Sequence, residues 1–234
     1  MARLRLVIKK TGSLQFLSHL DFAGTVRYIV TRADLPVLYS EGFNPHMKIS
    51  FASALGVGVG ADEEYMDLEL AEEVPLEEVM VRMNSTSPSG FAVLGGKYVD
   101  AKAPKLMAVA NYAVYILCGP LTAAVNDEEL AALLKRFNEA TEVFYEKYSP
   151  KTKKTRRIDV KEHLIEDVTG RINGENLELT VPIYQTEAGA IKPIQVWEIL
   201  AKDFALPVDK ELMLARRTAL RHRERGVNYS LLEG

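Results

Sequence analysis

Residues 2–10 alternate, with Leu4, Leu6 and Ile8 on one side and Arg3, Arg5, Val7 and Lys9 on the other, which predicts a half-buried strand. Thr11-Gly12-Ser13 turns the chain. Ser18-His19-Leu20-Asp21 then reads as a helix cap, and Phe22, Val26, Ile29, Val30 and Ala33 follow at helical spacing to about Asp34. A long turn-rich stretch follows. Met47–Ser53 and Glu64–Leu70 read as strands, and Pro75 opens a short helix to Asn84 with Glu77 and Glu78 in its first turn. Phe91–Val99 closes the set as a strand, so the order is β-α-β-β-α-β.

The order recurs. Asn111–Leu117 reads as a strand, Asp127–Tyr148 as a long helix with an acidic start, and Thr155–Asp159 as a short strand. Val160–Ile165 reads as a turn of helix or an edge insertion. Glu166–Arg171 and Glu175–Pro182 form a hairpin across Asn173-Gly174, the strongest hairpin signal in the chain. Pro193–Asp203 is a helix, Glu211–Thr218 a last strand, and the basic end beyond it is expected to be disordered. The fold class expected is α+β, as two tandem ferredoxin-like domains, residues 1–103 and 104–234, with Ala101–Lys105 as linker.

Residues 35–52 collect groups that folding alone does not need. Tyr39, Phe43 and His46 offer flat faces, Ser40 and Asn44 hydrogen bonds, and Lys48 a charge, while Gly42 and Asn44-Pro45 shape the backbone. Such loops more often bind than connect. Lys151–Lys161 is the densest basic run, and Lys151, Lys153, Lys154, Arg156 and Arg157 are candidate phosphate contacts together with Arg3, Arg5 and Lys48. His19 is left over by the cap and is a candidate ligand contact. Gly56-Val57-Gly58-Val59-Gly60 is no dinucleotide fingerprint, because an acidic strand rather than a helix follows; it reads as a flexible turn.

Net charge is −3, but its distribution is uneven: residues 1–60 hold seven Lys/Arg against three Asp/Glu, and residues 61–100 two against ten. A basic footprint is therefore compatible with the acidic total. No apolar run reaches membrane-spanning length and no leader is evident, so the expected location is the cytoplasm. Cys118 is the only cysteine, which excludes an intramolecular disulfide and a cysteine-based cluster. The four histidines lack metalloprotease spacing, and no nucleophile elbow or P-loop occurs. His19, Asp21 and His46 could meet at a metal only if cap and loop converge; neither a metal nor a cofactor is expected.

Phe16-Leu17-Ser18-His19-Leu20-Asp21 and the string from Leu35 to Ala52 resemble the bacterial radical SAM-linked protein family, with Asp159-Val160 and Ile191-Lys192-Pro193 before Val196 as looser landmarks. The resemblance implies physical or genetic association with a radical SAM enzyme, and it implies no established activity. Without a C-x-x-x-C-x-x-C motif, this chain would not hold the iron–sulfur cluster. The segment order is also similar to the tandem architecture of the Cas6-type CRISPR RNA endonucleases, an analogy of fold.

Three functions follow as expectations. The first is a non-enzymatic accessory protein that binds RNA or presents a substrate, with Tyr39, Phe43 and His46 stacking on unpaired bases and Ser40 and Asn44 reading base edges. The second is a metal-independent RNA-processing endonuclease using His19 or His46 as general acid/base. The third is a protein–protein adaptor without RNA affinity, for which the acidic segment 62–78 is suited.

Overall fold

A computed structural model describes residues 2–150, 153–186 and 189–233. The chain is an α+β protein that packs as two compact units, one of residues 1–111 and 217–234, the other of residues 112–216.

In the first unit, β1 (Ala2–Lys10) lies between β3 (Val59–Leu70) and β4 (Phe91–Val99), antiparallel to both. The short β2 (Ile49–Phe51) pairs antiparallel with β3, so the order is β4-β1-β3-β2. The alternation of β1 explains the layering. Leu4, Leu6 and Ile8 face α1 (His19–Arg32) and α2 (Leu76–Thr86), whose Val26, Ile29, Val30, Val79 and Met83 complete one apolar core. Ser18 caps α1, its hydroxyl oxygen accepting the amide of Asp21. That is worth about 1 kcal/mol. Gly90 turns into β4 at φ 92°, and a Cβ there would stand 2.2 Å from the carbonyl oxygen of Thr11, so only glycine fits.

The second unit holds β5 (Tyr112–Pro120), β9 (Asn176–Tyr184) and β8 (Thr169–Asn173), paired in that order and antiparallel. Phe137 and Leu134 of α4 (Asp127–Glu139) and Trp197 and Leu200 of α5 (Pro193–Asp203) are buried here. The Trp197 indole N–H donates to the carbonyl of Asp209 at 3.0 Å, and its ring lies against Gly119, where a Cβ would come within 2.8 Å. A separate two-stranded ribbon, β6 (Phe144–Ser149) with β7 (Lys154–Asp159), completes the unit. The small helix α3 (Leu106–Val109) follows the 101–105 segment, and β10 (Leu214–Glu224) leads on to β11 (Val227–Tyr229).

Four expectations need correction. The helix expected to reach Tyr148 stops at Glu139, because Val143, Phe144, Tyr145 and Tyr148 favour a strand and find a partner in residues 154–159. The strand expected over Met47–Ser53 is only Ile49–Phe51, since Met47 bridges back to Tyr39 instead. Val59 and Gly60, read as part of a flexible turn, begin β3. The terminus expected to be disordered is ordered strand through Glu224, paired with β11 and anchored by Leu231, which is buried. Among the described residues, no helix is long and apolar enough to cross a membrane.

Candidate functional site

The 35–52 stretch is a narrow hairpin rather than an open loop. Leu38 donates its amide to the carbonyl of Glu69 on β3, Lys48 donates to Leu38, and Ser40 donates to His46, each at 2.8 Å. Ser40 also accepts the His46 amide on its hydroxyl at 2.9 Å, which closes the hairpin just before its tip. Leu35 and Met47 anchor it in the core. Gly42 turns the tip at φ 118°. Phe43 is fully exposed there, at 106%, and Tyr39 is half exposed at 51%. Asn44 and His46 are exposed beside them. Lys48 is not free: its ammonium meets Glu69 at 3.1 Å.

Arg3 and Arg5 have a different task from the phosphate contact expected of them. Arg5 is buried, forks onto Asp67, and donates two further hydrogens to the carbonyls of Leu231 and Pro104 at 2.9 Å. Arg3 lies 3.3 Å from Asp67 and donates to the carbonyls of Ala101, Ala103 and Pro104. Both therefore tie down the chain at 101–104, and Arg5 the C-terminal segment as well. Most of their donors are spent on the fold.

On the opposite, helix-facing side of the same sheet, charge is buried that the sequence reading did not assign. Lys10 is fully buried, its ammonium 3.2 Å from the carbonyl of Leu17 and 5.1 Å from the centre of the Phe22 ring. Burial, and then Arg217 nearby, lower its pKa. Arg217 forms an ion pair with Glu64 and donates to the Ser53 hydroxyl at 2.6 Å. Burial pushes Arg217 down to about 9, against the pull of Glu63. His19 packs edge-on against Phe51, ring centres 5.4 Å apart, and burial together with Lys10 lowers its pKa as well. The imidazole therefore stays neutral at physiological pH. The clue in the sequence was the place of Lys10 in the apolar register of β1, two residues beyond Ile8.

In the second unit the basic run lies on the β6–β7 ribbon. Lys153 holds the turn at φ 53°, and Lys153, Lys154, Arg156 and Arg157 are all exposed. Lys151 lies outside the described residues. The Arg157 guanidinium lies 3.4 Å from the centre of the Phe144 ring. A cleft of about 240 Å³ at the base of the ribbon is lined by Tyr145, Glu198, Lys202 and Lys210. Among the described residues no three His, Cys, Asp or Glu side chains gather as a metal site, so His19, Asp21 and His46 do not converge.

The fold and these two exposed hairpins define an α+β protein that presents aromatic and cationic groups on braced antiparallel ribbons, without a gathered metal-ligand set among the described residues. The chain belongs to the family described as "uncharacterized protein conserved in bacteria (DUF2344)", whose model matches residues 3–193. No curated protein matches the sequence. In fold it is similar to a chain in the crystal structure of a Cbf5-Nop10-Gar1 complex, with a TM-score of 0.50 and 14% identity over 94% of this chain and 48% of that one. A chain of the archaeal box H/ACA sRNP Nop10-Cbf5 complex has a TM-score of 0.45 at 13% identity, over 94% of this chain and 47% of its own length. This chain thus spans about half the length of those two chains. At such identity the likeness speaks of fold alone.

Proposed function

We propose that the protein is a cytoplasmic, non-enzymatic accessory factor that binds RNA, or presents a substrate, beside a radical SAM enzyme. The observation that carries this reading is Phe43, a whole aromatic side chain held in water at the tip of a hydrogen-bonded hairpin. Burying that ring would gain about 1.5–3 kcal/mol, so its exposure costs the fold what a partner's flat surface recovers. Tyr39, Asn44 and His46 flank it with a second ring and groups able to bond base edges, the equipment of single-strand recognition. Phosphates fall to the exposed Lys153, Lys154 and Arg156, with Lys151 as their neighbour in sequence, and Arg157 adds its charge beside them. The fold beneath is read as two ferredoxin-like units in tandem, supported by the β4-β1-β3-β2 order of the first. The test is RNA binding by the purified protein in a salt series, beside Phe43→Ala and a Lys153/Lys154/Arg156/Arg157→Ala variant. Weakened binding in both supports the proposal, and no binding at low salt overturns it.

An adaptor without RNA affinity is the second reading, favoured by the exposed carboxylates of Glu72, Glu73, Glu77 and Glu78 around the start of α2. Capture of the radical SAM enzyme by a protein that binds no RNA would select it.

A further inference from the structure

The β6–β7 ribbon has two chemically different faces, and its register says which residue lies on which. Directly opposed residues of an antiparallel pair share a face, as do residues two apart on a strand. Phe144 opposes Asp159, Glu146 opposes Arg157 and Tyr148 opposes Thr155. Phe144, Glu146, Tyr148 and Arg157 therefore stand on one side, and Lys154 and Arg156 on the other.

The first side is built for stacking. Phe144 is half-buried, and the guanidinium of Arg157 lies 3.4 Å from its ring centre, the distance of a stacked contact. Phe144 backs that guanidinium, and Arg157 as a whole is exposed. Tyr148, 59% exposed, follows two residues beyond Glu146, about 7 Å further along the strand. A planar cation backed by an aromatic ring, next to an exposed phenol, offers two flat surfaces in sequence. The Glu146 carboxylate between them accepts hydrogen bonds and suits an exocyclic base amine. The opposite face supplies positive charge for the backbone.

We infer that this ribbon is a stacking platform for unpaired RNA: bases lie on the Arg157–Phe144 stack and on Tyr148, and Lys154 and Arg156 hold phosphates. Charge complementarity selects a polyanion, and the flat pair selects one whose bases are free. A duplex keeps its bases stacked on each other and offers the ribbon only phosphates. The inference rests on the proposed RNA binding and assigns the single-strand preference to a second surface, separate from Phe43.

The experiment measures fluorescence anisotropy of a labelled ten-nucleotide RNA, single-stranded and annealed to its complement, with wild type, Arg157→Lys and Tyr148→Ala. Arg157→Lys keeps the charge and removes the planar stack. The expected result is about a tenfold loss of single-strand affinity in each variant, unchanged duplex affinity, and an unchanged salt slope for Arg157→Lys. Both positions are exposed, so melting temperatures stay at the wild-type value. Wild-type affinity in both variants overturns the platform while leaving RNA binding intact. Equal losses on single strand and duplex also overturn it, as does competition by polyglutamate as effective as that by RNA. If the wild type binds neither RNA, the proposed function and the platform fall together.

Discussion

Arg5 grips Asp67 through two hydrogen bonds, Nε to Oδ1 at 2.8 Å and Nη2 to Oδ2 at 3.0 Å, with both side chains closed to water. The pair joins adjacent strands at the directly opposed register of β1 and β3, and the rest of the guanidinium holds the carbonyls of Leu231 and Pro104. Removing one partner leaves a buried charge without compensation. Asp67→Ala should lower stability by about 3–5 kcal/mol in urea unfolding. A loss below about 1 kcal/mol would show that Arg5 is held by its carbonyl contacts alone.

Lys10 predicts the opposite behaviour. Its ammonium is buried with one carbonyl and one aromatic face, and burial and Arg217 lower its pKa from 10.5. A lysine whose folded pKa lies below its unfolded one binds fewer protons when folded, so stability rises with pH between those two values. Lys10→Met should therefore be at least as stable as wild type near neutrality, and its advantage should shrink as pH rises toward 10.5. Urea unfolding of both proteins at a series of alkaline pH values checks this. A pH-independent difference would rule out titration of Lys10 as its source.

At Gly90 the backbone leaves no choice. With φ at 92° and the carbonyl oxygen of Thr11 2.2 Å from any added Cβ, Gly90→Ala should destabilise by about 2 kcal/mol or more. Thermal unfolding would show it, and an unchanged midpoint would mean that the Thr11–Gly90 contact yields at little cost.

The phosphate contacts should be additive and salt-linked. Arg156→Ala and Lys154→Ala should each weaken RNA binding across sequences and reduce the slope of log affinity against log salt by about 1. A slope unchanged by either substitution would remove the ribbon from the interface.

Much of this architecture is legible in the sequence because local signals agree with the packing. The alternation of β1, the Ser18 cap and Pro193 at the start of α5 each place an element within a residue or two, and the Asn173-Gly174 signal marks a hairpin whose turn is Gly174-Glu175, one residue on. The overlong helix is a failure of a different kind. Leu130, Leu134 and Phe137 set a helical period, and the strand-favouring Val143, Phe144 and Tyr145 come only after Glu139. Pairing with residues 154–159 across the basic turn decides the rest, and that is a non-local fact. The same holds for the charges. Arg5 and Arg217 look like surface cations in a sequence, whereas Asp67 and Glu64, distant along the chain, allow them to be buried. Phe43 shows the converse: its residue type suggests core, and only the hairpin bonds of Leu38, Ser40 and His46 hold it out in solvent.

Phe43 also separates an RNA-binding hairpin tip from a protein-binding one. Because the side chain touches nothing the fold needs, Phe43→Ala should unfold at the wild-type temperature. Its affinity for single-stranded RNA should fall by about 1–3 kcal/mol, roughly 5- to 150-fold, the usual value of one stacked base. Anisotropy titration of wild type and Phe43→Ala with the same RNA, at one fixed salt concentration, reads this difference. Equal affinity in the two proteins would contradict the account, and the exposed ring would then belong to a protein surface.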